Sequence, residues 1–109
     1  YPLNKGKQTL YQGGIHVPMF VSGYGVSRIG EKEGALLNVI DIYSTILELA
    51  GADLPGGIYN SLSFKHLLDG TAGSGRQYNF SEIDTNSSTI TTMGYTIRDP
   101  QYKLIEYII

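Results

Sequence analysis

The apolar period of the chain changes near residue 76, and this change constrains the fold more than any other feature. Downstream, "YNFSEI", "STITTMGYTIR" and "YKLIEYII" alternate apolar with polar residues and are rich in Thr, Ile and Tyr, as half-buried strands are. "RDPQ" separates the last two and sets Pro100 where a turn former belongs. An antiparallel meander is predicted. Upstream the pattern is helical: "DIYSTILELAG" spaces Ile42, Ile46, Leu49 and Tyr43, Leu47, Ala50 at helical intervals, with Asp41 expected as N-cap and Gly51 as stop. "SFKHLLDG" predicts a shorter helix, capped by Ser63 and ended by Gly70. Residues 15–21, IHVPMFV, are apolar on both faces and predict a central parallel strand, with Pro18 near an end or a bulge because it cannot donate to a ladder. The expected fold class is therefore α+β. Residues 1–70 read as the C-terminal edge of a larger α/β domain, and residues 71–109 as a small antiparallel subdomain, itself expected to be truncated.

Composition removes several classes of function. A chain of 109 residues, 41% of them hydrophobic, can bury one modest core. Its net charge is −2 and its eight Lys and Arg are scattered, so no basic patch recommends a nucleic-acid partner. The absence of cysteine excludes a disulfide framework, a thiolate nucleophile and a cysteine metal site. No apolar run reaches the roughly 18 residues of a membrane span.

The stretch "GKQTLYQGGIHVP", residues 6–18, carries the chemistry. A lysine flanked by glycine stands before a Gly-Gly pair and an apolar run, and such a pair permits positive φ or a close backbone approach. A tight loop of this kind can hold the Lys7 cation against an anionic substrate, although a solvated loop lysine, as Lys5 is expected to be, reads the same way. His16 lies between Ile15 and Val17, which suits an anion contact or base, or a hydrogen-bonded core histidine. His66 is expected at the surface. Two histidines 50 positions apart, with no carboxylate at ligand spacing, make no metal site.

Taken in order, "GKQTLYQGGIHVP", "VIDIYSTILELAG", "SLSFKHLLDG" and the strand-rich tail with "TIRDPQYKLIEY" resemble the C-terminal portion of the sulfatase family, within the alkaline-phosphatase-like superfamily. The family commonly reads G-K-x-T-x-Y-E-G-G-x-R-V-P in the first segment. Gln12 stands where it usually has Glu, His16 where it has Arg, and Ser44 where the helix carries Pro. The resemblance implies that Lys7 contacts the sulfate group, with His16 as a further substrate contact. It also implies a parent enzyme that hydrolyses sulfate esters through a formylglycine hydrate and calcium. The Cys/Ser-x-Pro-x-Arg nucleophile motif and the calcium-ligand segments are not in this sequence, so no cofactor is expected on these residues themselves. The expected partners are the remainder of a sulfatase chain and its sulfate ester, with possible self-association of the segment alone. Family resemblance allows a periplasmic, secreted or lysosomal location. Two other readings stand beside this one: a phosphonate or phosphodiester hydrolase of the same superfamily, and a free-standing α+β interaction or carbohydrate-binding module using some of the nine tyrosines.

Overall fold

A computed structural model describes residues 5–57, 60–86 and 91–108. The first few residues of the expected strand "STITTMGYTIR" lie outside them. The chain forms two compact units, one of Tyr1–Met19 with Tyr78–Ile109 and one of Phe20–Gln77.

In the first unit the alternating segments form the expected meander. Strands β1 (Asn79–Asn86), β2 (Thr91–Arg98) and β3 (Lys103–Ile108) pair antiparallel in the order β1-β2-β3. The β2–β3 turn is held by Asp99, whose Oδ1 accepts the N–H groups of Tyr102 at 2.6 Å and Gln101 at 2.7 Å. These two bonds hold its carboxyl below the usual range. Period two then sorts the side chains by face. Register aligns Phe80 with Ile97 and Ile97 with Leu104, and this row is exposed. On the other face Gly94 stands opposite Tyr107, beside the buried Thr96. That face receives the Lys7 loop. A single turn of helix, α1 (Gln12–Ile15), ends the loop.

The second unit contains α2 (Asp41–Leu49) and α3 (Lys65–Asp69), both at the expected places. Gly51 and Gly70 end them with φ of 68° and 75°, the left-handed stop that glycine adopts without strain. Ser63 is not the N-cap of α3, a position Phe64 occupies without a side-chain bond; it lies one residue earlier, where its Oγ accepts the Lys65 N–H at 3.2 Å, and Lys65 pairs with Asp69 one turn on, at 2.6 Å. What α2 buries is unexpected. Asp41, Ser44 and Thr45 face inward while Ile42, Tyr43 and Ile46 are exposed. The inward groups are satisfied: Thr45 Oγ1 donates to the Asp41 carbonyl at 2.7 Å and accepts the Phe64 N–H at 3.0 Å, and Ser44 and Ser61 hydroxyls meet at 2.5 Å. The helix is thus pinned to residues 61–64 by hydrogen bonds, with Phe64 buried against it.

Two further expectations need correction. Asp41 is not the N-cap of α2, a position Ile40 occupies without a side-chain bond. Its carboxylate instead reaches Arg76, at 2.9 Å and 2.5 Å to the two oxygens, while also accepting the N–H groups of Asn38 and Leu62. Residues 15–21 are also not a strand: Ile15 closes α1, and residues 16–21 are irregular and exposed, Phe20 at 93%. Apolarity on both faces suits a central strand, but a strand exists only where a neighbour completes its ladder, and no described segment pairs with this one.

Candidate functional site

The loop of residues 5–16 is shaped by its own close contacts. Gln8 takes a positive φ of 66°, and Thr9 Oγ1 donates to the Gly6 carbonyl at 2.6 Å, drawing the chain into a tight bend around Lys7. Gly14 then packs into that bend. A Cβ at residue 14 would lie 2.1 Å from the Thr9 carbonyl oxygen and 2.7 Å from that of Gly6, so the second glycine is required by backbone approach. Gly14→Ala is accordingly expected to lower stability by about 1–3 kcal/mol, the usual range for overpacking. Gly34, with open space where its Cβ would sit, is the control. Thermal unfolding of the two variants in the full-length protein checks this, and equal melting temperatures would contradict it.

Packing against the sheet fixes the bend in space. Leu10 is 1% exposed and lies over Gly94, where an added Cβ would come within 3.0 Å of its side chain. The Leu10 N–H donates to the Tyr107 hydroxyl at 3.3 Å. Lys103, the first residue of β3, closes the clamp: its ammonium donates to the Leu10 carbonyl and, at 2.9 Å, to the Gln12 side-chain oxygen. Burial pushes the Lys103 pKa down, and neighbouring Arg98 adds to the shift. Lys5 lies 5.0 Å from the centre of the Tyr11 ring, a cation–π contact that ties the loop's first residue to its middle.

Of the expected site residues, Lys7 is exposed at the bend. His16 follows α1, its backbone N–H bonded to the Gln12 carbonyl, with an exposed side chain; it is not the core histidine that its apolar neighbours suggested. Sequence reasoning missed Lys103, Tyr107 and Gly94, which stand some 80 to 100 residues away with no local pattern to announce them. A groove of about 480 Å³ in the second unit, lined by Arg28, His66, Leu67, Thr71 and Gly73 among others, is a weaker candidate. Its guanidinium is already held by Glu31 and Glu33 at 2.8 Å and 2.7 Å, so it offers an anion little. Among the described residues no group of three or more His, Cys, Asp or Glu stands together to hold a metal ion.

The family described as N-sulphoglucosamine sulphohydrolase, C-terminal, matches residues 5–109. Arylsulfatase K of Mus musculus is 27% identical over 108 residues, which cover 93% of this chain and 19% of that protein. Arylsulfatase G of Canis lupus familiaris is 33% identical over 100 residues, covering 89% and 18%. The solved structure of a 2-O GAG sulfatase superposes with a TM-score of 0.70 at 27% identity, over 80% of this chain and 19% of that one. The chain therefore spans about a fifth of the length of these relatives.

Proposed function

Because the chain belongs to the N-sulphoglucosamine sulphohydrolase C-terminal family and is a C-terminal portion of a sulfatase, we propose that it presents Lys7 to the sulfate group of a sulfate ester. The observation that carries this reading is the combination of an exposed Lys7 side chain with a backbone fixed by Gly14, Leu10 and Lys103. An ammonium so held is a compact donor for charge that develops on ester oxygens, and because the loop is already ordered little reorganisation is needed as the charge appears. His16, exposed at the end of the same loop, is the second candidate contact. The nucleophile and calcium implied by the family resemblance belong, in this reading, to the remainder of the polypeptide.

Two expected results follow from this division of labour. The segment alone should release no product from para-nitrophenyl sulfate with added calcium, because a lysine stabilises charge but does not replace a nucleophile. Turnover that survives repurification would contradict this. The full-length protein should hydrolyse para-nitrophenyl sulfate in preference to bis(para-nitrophenyl) phosphate. The opposite preference would move the assignment to a phosphodiester hydrolase.

The same reading accounts for the inverted α2. Ile42, Tyr43 and Ile46, with Phe20, Tyr24 and Val39 in the same unit, are exposed apolar groups, and the rest of the sulfatase chain is the partner that would cover them. Such surface is costly to leave in water. The isolated segment is expected to self-associate at micromolar concentration, as sedimentation velocity would show. A strictly monomeric segment would instead favour a free-standing module.

A further inference from the structure

We propose that Lys103 is a positioning residue for Lys7, setting the place of its ammonium by holding the loop backbone on the sheet. This rests on the role assigned to Lys7 above. Lys103 is 93 residues from Leu10 and 91 from Gln12, yet its ammonium meets both at once. These two acceptors flank Tyr11, between the Lys7 bend and the Gly-Gly turn, so one cation ties down the loop just beyond the residue that needs to be placed. Lys103 is half-buried. Among the described residues no carboxylate lies within ion-pair distance of it. Its donors are directed at neutral oxygens of the loop, in charge-assisted bonds stronger than those between neutral groups. The rest of the contact is provided separately, by Leu10 against Gly94 and by the Tyr107 hydroxyl. Losing the ammonium should therefore loosen the loop without detaching it.

A positioning role differs from a purely structural one in its coupling to Lys7. In the full-length protein, with para-nitrophenyl sulfate as substrate, Lys103→Met is expected to lower kcat about 10-fold while retaining the packed stem of the side chain. In a Lys7→Ala background the same change should lower kcat little further, because there is no ammonium left to misplace. Affinity for inorganic sulfate, measured by calorimetry, should follow the same non-additive pattern. Gln12→Glu, which turns the neutral contact into an ion pair, should raise the melting temperature and preserve kcat. Lys103→Met with unchanged kcat, or with an effect that multiplies that of Lys7→Ala, overturns the positioning role. If Lys103→Met does not fold, Gln12→Leu removes one of the two anchors and is read by the same cycle. A Lys7→Ala protein of unchanged kcat would overturn the role of Lys7 itself, and with it this proposal, and that outcome is visible in the single variant alone.

Discussion

Replacing Asp41 by alanine is expected to destabilise the fold by about 3–5 kcal/mol, the cost of removing one partner from a buried ion pair. Asp41 is 0% exposed, and the Arg76 side chain only 10%. Alanine would leave that guanidinium inside without its carboxylate and would also orphan the N–H groups of Asn38 and Leu62. The pair joins the start of α2 to a residue 35 positions later, just before the sheet begins, so unfolding should spread through residues 20–77. Chemical denaturation of the full-length variant measures the effect. The double variant Asp41→Ala, Arg76→Met should recover part of it, since an absent pair costs less than a broken one. A single variant within about 1 kcal/mol of the parent would show that the pair contributes no more than an exposed one.

The same carboxylate predicts a pH dependence. Burial alone would raise the Asp41 pKa, but the Arg76 guanidinium and the N–H groups of Leu62 and Asn38 outweigh it and hold the carboxyl below its usual range. A depressed native pKa means stability that is fully present above the unfolded value of about 3.9 and is lost as pH falls through the native one. The melting temperature of the parent should therefore drop in acid below about pH 4, more steeply than that of the Asp41→Ala, Arg76→Met variant.

Local signals in the sequence were read correctly where neighbours in the chain decide the structure. The meander follows from period-two alternation, α2 from apolar spacing that ends at Gly51, and α3 from its stop at Gly70. Signals failed where distant residues decide. Asp41 has the composition of an N-cap, yet Arg76, 35 residues away, captures it. IHVPMFV has the composition of a buried strand, but pairing is a property of two segments and sequence shows only one. The Gly-Gly pair was rightly read as allowing close approach, although what Gly14 approaches is its own loop and the positive φ falls on Gln8. The tight loop that carries Lys7 was legible in its glycines. Lys103 was not, because a lysine opening a strand resembles any exposed strand residue until Leu10 and Gln12 are brought onto it.

In the proposed function a fixed loop places the Lys7 ammonium where charge develops on a sulfate ester. Lys7 is exposed and the loop is held by backbone contacts and by other side chains, so removing its ammonium should leave stability almost unchanged. Lys7→Arg should rescue poorly, because a planar fork does not take the place of a compact ammonium. His16→Gln, which alters an exposed group at the loop's end, should cost less than Lys7→Ala. The most direct measurement is kcat for para-nitrophenyl sulfate in full-length Lys7→Ala beside the parent, with melting temperatures matched. The account predicts a fall of roughly 10² or more, the scale of losing one preorganised electrostatic group. A stable Lys7→Ala protein that keeps its parent's kcat would contradict it and return Lys7 to the class of solvated loop lysines.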